Sequence, residues 1–233
     1  MSGPDPSAVI KESMTIKESR GDVHLLGTAI RAAADGVFPQ ADGLVEVVPP
    51  YRDGLEAVVS FTGHAVVATD LPLEALVAAG ADGFGRATSL PVLSVLAGPA
   101  GTVDVLDALL VARGTGGGGL PERPDLHEHP RAGYARRWRR EVRVFGDERG
   151  LVTLARGLGG LLELSFEVPP ERRGRGCGRA LLHEARALVP AGEPVLAAVA
   201  PGNAASLRSL LAAGFVPIGS VLLLGPGRLP HRR

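Results

Sequence analysis

Apolar positions along the chain follow two periodicities, and the switches between them mark out its elements. From His24 to Ala34 hydrophobic residues recur at helical spacing. LVEVV (44–48), EAVVSF (56–61) and AVVAT (65–69) are short apolar runs separated by PPYRDG and TGH, which predicts strands. LPLEALVAAG (71–80) predicts a helix, and SLPVLSVLAG and TVDVLDALLVAR supply one or two more apolar elements of either type. Further on, EVRVFG, LVTLAR and LLELSFEV predict two or three antiparallel strands, with GLGG as the turn before the last. Leu181, Leu182, Ala185 and Leu188 then fall on one helical face, and PVLAAVA reads as a short buried strand. AASLRSLLAAGF closes the pattern as a second helix, with Asn203 placed to cap its start and Gly214 where a C′ glycine belongs.

Two stretches break this alternation. Residues 1–21 are polar and aperiodic, the mark of a mobile tail. GTGGGG (114–119), followed by LPERPDLHEHP, reads as a linker or flexible loop. It divides the chain into an N-terminal α/β region over 22–119 and a core over 120–233. The first region either donates elements to that core or packs on it as a degenerate companion domain.

The densest chemistry lies at the junction of the last strand and the following helix, where residues 168–182 read VPPERRGRGCGRALL. Alternating glycines bare the backbone N–H groups, and the helix that follows points its N-terminus at the same place, so the segment is suited to a diphosphate. Its arginines add charge-assisted hydrogen bonds. The spacing of Gly174, Gly176 and Gly178 is G-x-G-x-G, which is not the dinucleotide fingerprint G-x-G-x-x-G, and no G-x-x-x-x-G-K-[ST] is present.

Val168, Pro170, Arg173, Gly174, Gly176, Gly178 and Leu181 resemble the pyrophosphate loop of the GNAT N-acetyltransferase superfamily. Asn203, Ser206 and Gly214–Phe215 resemble its second signature, N-x-x-[AS]-(x)7-G-F, at the right distance from the first. The resemblance implies an α/β fold, a mixed, mostly antiparallel twisted sheet flanked by helices. It implies transfer of an acetyl group from acetyl-CoA directly to an amine of a small molecule or peptide. Arg173, Gly174, Gly176, Cys177 and Gly178 would then hold the pyrophosphate with help from Arg175 and Arg179. The backbone of Phe166, Glu167 and Val168 would hold the pantetheine arm and the thioester carbonyl, and Asn203 and Ser206 would line the arm. Dimers are common in the family, so a homodimer is compatible with it.

The carried-over side-chain catalysts are missing. Where many relatives have a tyrosine seven residues after the asparagine this chain has Leu210, and where some have a glutamate five before it stands Ala198. Strand alternation instead puts Glu163, Ser165 and Glu167 on one face of LLELSFEV and Leu162, Leu164, Phe166 and Val168 on the other. Glu163 and Glu167, ~13 Å apart at ~3.3 Å per residue, are the candidate bases, Glu163 first. The missing tyrosine and glutamate equally fit a GNAT-fold module that binds acyl-CoA or a protein partner without efficient turnover.

Composition narrows the setting. The formal charge is zero, which gives no reason to expect a nucleic-acid partner. The apolar runs are all interrupted well short of ~20 residues, so no membrane span is expected. The single Cys177 and the polar start fit a cytoplasmic protein. His127 and His129 lie in a Pro-rich loop without further ligands, so no metal is expected. Arg136, Arg137, Arg139 and Arg140 around Trp138 read as a solvated helix face beside the substrate mouth.

Overall fold

The runs rich in valine and leucine form strands, and the two glycine- and proline-framed periodic segments near the C-terminus form helices. The computed structural model describes residues 24–225 and residue 227; the expected tail over 1–21 lies outside the described residues. Among the described residues ten strands form one sheet: β1 (Val45–Val48), β2 (Glu56–Phe61), β3 (His64–Ala68), β4 (Thr102–Val103), β5 (Asp107–Arg113), β6 (Arg140–Asp147), β7 (Gly150–Arg156), β8 (Leu162–Glu167), β9 (Pro194–Val199) and β10 (Val216–Gly225). The helices are α1 (Leu25–Ala34), α2 (Leu73–Ala78), α3 (Leu90–Ala97), α4 (Pro130–Trp138), α5 (Cys177–Ala187) and α6 (Ala204–Ala212).

The spatial order is β1-β3-β2-β10-β5-β9-β8-β7-β6, with β4 paired to β10. Pairing is antiparallel except for β1 with β3 and β8 with β9, so the sheet is mixed and mostly antiparallel, as expected. The sheet runs unbroken across residue 119. β5 precedes the glycine run in sequence, yet it lies between β9 and β10, which follow it.

The undecided segments resolve as a helix (α3) and a bent pair of strands (β4 and β5) separated by Asp104–Leu106. The glycine run is not a free linker. Thr115 and Gly116 donate to the carbonyls of Arg186 and Val189, Gly114 donates to Glu193, and Gly192 donates back to Gly114. Four backbone bonds therefore pin it along the C-terminal end of α5.

Apolar side chains pack on both sides of the sheet. On one face Leu181, Leu182 and Ala185 of α5 and Leu210 of α6 cover Leu110, Val152, Leu164, Val195 and Ala197. On the opposite face Leu26, Ile30 and Ala33 of α1 pack against Val59, Leu109, Val111, Leu161 and Leu196. Neighbouring residues of β5 therefore serve different cores, as the period of two requires. α2 and α3 cover the outer part of the sheet over Val58, Val67 and Leu222.

Candidate active site

The site begins as a fault in the sheet. β8 and β9 are parallel neighbours at two positions only, Leu162 with Val195 and Glu163 with Leu196. β8 remains paired to β7 as far as Glu167, and β9 to β5 as far as Val199. From Leu164 outward the two strands diverge, so that edge of β8 is left without a strand partner. An extended amide chain could dock there by the same hydrogen bonds that a strand would make.

The glycine-rich loop stands at the mouth of this wedge. Gly174 and Gly176 have φ of +73° and +78°, a region L side chains seldom enter, and a Cβ at either would meet nothing within 4 Å. Handedness, with open space in front, is what calls for glycine there. Gly176 is also the N-cap of α5, which has no side-chain cap and no acidic residue in its first turn. The first-turn N–H groups thus lack intrahelical partners and face outward with the positive end of the helix dipole. Arg172, Arg175, Arg179 and Arg208 form no ion pair among the described residues, and Arg173 Nε donates to the Val168 carbonyl at 3.0 Å.

A cleft of about 550 Å³ runs from this loop to α6. Of the residues expected at the cofactor, Phe166, Glu167, Val168, Arg173, Gly174, Gly176, Cys177, Gly178, Arg179, Asn203 and Ser206 all line it, whereas Arg175 does not. Arg172 of the loop lines it too, as do Arg131 of α4 and Arg208 of α6, which lie outside the loop motif. Asn203 both lines the cleft and caps α6, its Oδ1 accepting from Ser206 N at 3.2 Å. Cys177 is half-buried and faces the cleft instead of packing in the core.

The cleft continues through the wedge. A second hollow shares Arg131, Phe166, Asn203 and Ser206 with it and adds Leu164 and Leu210 from the α5/α6 side. It also takes in Asp107, Tyr134, Ser165 and Ala198, which in turn line a smaller pocket on the opposite face with Asp104, Trp138, Arg139 and Glu163. One path thus crosses the sheet where β8 and β9 part.

On that far face the expected alternation holds, and Glu163, Ser165 and Glu167 share a side. Both glutamates have arginine partners. Glu163, 4% exposed, is paired with Arg139, 7% exposed. Glu167 accepts from Arg131 Nε at 2.9 Å. Arg139 and Trp138 are therefore interior residues and not part of a solvated face; Arg137 stacks over the Trp138 ring at 4.8 Å. His129 caps α4, its Nδ1 accepting from Arg131 N, and His127 contacts Glu128.

Asp107, which nothing in its own segment singles out, opens β5 at the junction of the two far hollows. Burial pushes its carboxyl up to about 6, with Asp104 and Glu163 adding to the shift and Arg139 opposing it. Tyr134 donates to Asp104 Oδ2 at 2.6 Å; burial and that carboxylate raise its phenol. The arrangement offers an anion cradle, an unpaired strand edge, a passage through the sheet and a carboxylate that burial pushes up to about 6.

No family model matches the chain, and no curated protein matches it. Among solved structures it is similar in part to an acetyltransferase from the GNAT family from Colwellia psychrerythraea, at 11% identity over 58% of this chain and 61% of that one, with a TM-score of 0.36. It is similar likewise to a GCN5-related N-acetyltransferase from Kribbella flavida, at 12% identity over 61% of this chain and 65% of that one, with a TM-score of 0.30. The chain thus spans less than two thirds of the length of either structure, and likenesses this slight carry no weight beside the geometry. The solved structures it is similar to are GNAT-family acetyltransferases.

Proposed function

We propose that the protein is an N-acetyltransferase that moves an acetyl group from acetyl-CoA to an amine of a small molecule or peptide by direct transfer. The observation that carries this reading is the wedge between β8 and β9, open from Leu164 outward with the anion cradle at its mouth. In this reading the first-turn N–H groups of α5 and the loop backbone from Arg173 to Gly178 bind the diphosphate, with Arg172, Arg179 and Arg208 supplying charge. The free edge of β8 pairs with the amides of the pantetheine arm. A backbone N–H of Phe166, Glu167 or Val168 then meets the thioester carbonyl and stabilises the oxyanion as the amine attacks.

Positioning accounts for much of the expected rate, since holding two reactants in line can lower a barrier by ~7 kcal/mol or more. The second reading, an acyl-CoA-binding module without turnover, draws support from the apolar residues at the two positions where relatives carry catalysts. Leu210 is 2% exposed and belongs to the core, so no hydroxyl stands there.

Titration calorimetry with acetyl-CoA on the wild type and on Gly176→Glu tests the binding step. Binding lost in the variant is expected, because the new side chain brings a negative charge into the cradle and L-geometry into a left-handed position. Acetyl-CoA-dependent acetylation of an amine separates the enzyme from the module. Failure of folded wild-type protein to bind acetyl-CoA would overturn both readings.

A further inference from the structure

Where the passage reaches the far face of the sheet, carboxylates and guanidiniums are unequally matched. Arg139 is committed to Glu163 and Arg131 to Glu167. The Nε and Nη1 atoms of Arg139 have no hydrogen-bond partner among the described residues and are sealed from solvent; Arg139 lines the pocket and offsets part of the charge on Asp107, but its ion pair is with Glu163. Asp104 and Asp107 are in no ion pair among the described residues. The only side-chain donor to either is the Tyr134 hydroxyl on Asp104. Two carboxylates without a cation thus face a hollow that begins where the wedge ends.

Such a pocket favours an ammonium group. Leaving two neighbouring carboxylates uncompensated in a half-buried site is costly, and an organic cation between them removes that cost. A ligand carboxylate would gain no free guanidinium there and would meet two like charges. Val105, Leu109, Val221 and Leu223 supply apolar walls for the hydrocarbon next to the nitrogen.

Resting on the proposed acetyltransferase reading, we infer that Asp107 is the catalytic base that takes the proton from the acceptor's ammonium group, and that with Asp104 and Tyr134 it selects amines bearing no carboxylate near the reacting nitrogen. The balance is complete without any further reactant. The Asp107 carboxylate accepts one proton from R–NH3+, and the freed lone pair forms the C–N bond at the thioester carbonyl. Collapse of the tetrahedral adduct breaks the C–S bond, and a second nitrogen proton ends on the departing sulfur. The proton on Asp107 returns to water. Asp107 suits the first step by position, at the start of β5 beside the divergence of β8 and β9, and by its raised pKa. The groups facing it are Asp104 from the preceding turn, Arg131, Tyr134 and Arg139 from α4 and its C-terminal end, and Glu163 from β8. Around it β9 contributes Ala197, Ala198 and Val199 and β10 contributes Val221 and Leu223, none of them titratable.

The test compares wild type, Asp107→Asn and Asp107→Glu, each titrated with acetyl-CoA by calorimetry and assayed for CoA release with 2-phenylethylamine, spermidine, kanamycin and glutamate. We expect acetyl-CoA affinity equal in all three, turnover of at least one of the organic ammonium compounds, and none of glutamate. In Asp107→Asn kcat should fall about 100-fold, with loss of the acid limb expected for wild type near pH 6; Asp107→Glu should recover part of the rate with a displaced limb. Asp107→Asn keeping both the rate and the limb would overturn the assignment of the base while leaving the acetyltransferase reading intact. Glutamate used as well as the ammonium compounds, or none of these used by protein that binds acetyl-CoA, would overturn the acceptor class. Absence of acetyl-CoA binding in the wild type would remove the reading on which the inference rests.

Discussion

Glu163→Gln is the substitution whose outcome the structure determines most sharply, because it removes one charge of a sealed pair and leaves the other. Glu163 and Arg139 are 4% and 7% exposed, and the Nε and Nη1 atoms of Arg139 already lack hydrogen-bond partners among the described residues. Glutamine keeps the volume and can still accept a hydrogen bond, but the guanidinium then sits in the interior without a counter-charge. Breaking a buried pair in this way costs about 3–5 kcal/mol. For a chain of this size each kcal/mol lowers Tm by about 2–4 °C, so a fall of roughly 10 °C is expected in scanning calorimetry, with a matching drop in the urea midpoint. Replacing both residues, Glu163→Met with Arg139→Met, takes both desolvation penalties away and should come within about 1 kcal/mol of wild type. The two single substitutions and the double therefore form a cycle with a large coupling energy. A Glu163→Gln protein within 1 kcal/mol of wild type, or a double variant losing the sum of the singles, would refute the claim that this pair is sealed and interdependent. The outcome also bears on catalysis. Lost activity in Glu163→Gln at a temperature where part of the protein is unfolded says nothing about a base.

Two further outcomes follow from the same side of the sheet. Asp107 has its folded pKa raised to about 6 from an ordinary 3.8, so its ionised form opposes folding. That opposition is absent below pH ~4 and complete above pH ~7, so Asp107→Asn should raise Tm at pH 8 and leave it unchanged at pH 4; with half the group in contact with solvent, about 1 kcal/mol is expected, and equal shifts at both pH values would contradict it. At Gly157 a Cβ would lie 2.0 Å from Glu163 Oε2 and 3.0 Å from Glu163 Cβ, so Gly157→Ala should push the carboxylate off Arg139 and cost at least about 2 kcal/mol in urea unfolding. A loss under ~0.5 kcal/mol would mean that the carboxylate moves aside freely.

What could be read along the chain and what could not divide by the distance between interacting residues. Asn203 caps α6 through Ser206 three residues away, and Gly214 has the left-handed φ of +85° that a C′ glycine takes. Gly174 and Gly176 likewise disclose their backbone by being glycine, and the cleft forms around the segment that carried the motif. Each of these rests on contacts within a few residues. The order of the sheet does not: β10 inserts between β2 and β5 through pairings of Val221 with Val59 and of Val216 with Val111, and no local period encodes either. The glycine run looked like a linker because composition records its freedom in isolation, whereas its docking on α5 depends on carbonyls at Arg186 and Val189, some 70 residues later.

The same limit governs the chemistry. Alternation correctly places Glu163 and Glu167 on the side of β8 away from α5, because the period of two says which face a side chain takes. It does not say what stands opposite. Arg139 comes 24 positions before Glu163, at the end of α4, and turns the foremost candidate base into half of an ion pair. Arg131 does the same for Glu167 across 36 positions. Asp107 drew no attention in TVDVLDALLVAR because its properties are set by absence as much as by presence. Burial disfavours its charge, its neighbours Asp104 and Glu163 repel it, and the nearby arginines are paired with other carboxylates. A residue's fitness as a base is thus a property of the whole set of partners around it. In a wall of four carboxylates and two guanidiniums, the pairing leaves Asp104 and Asp107 over, and Asp107 is the one of the two proposed as base because the Tyr134 hydroxyl already donates to Asp104.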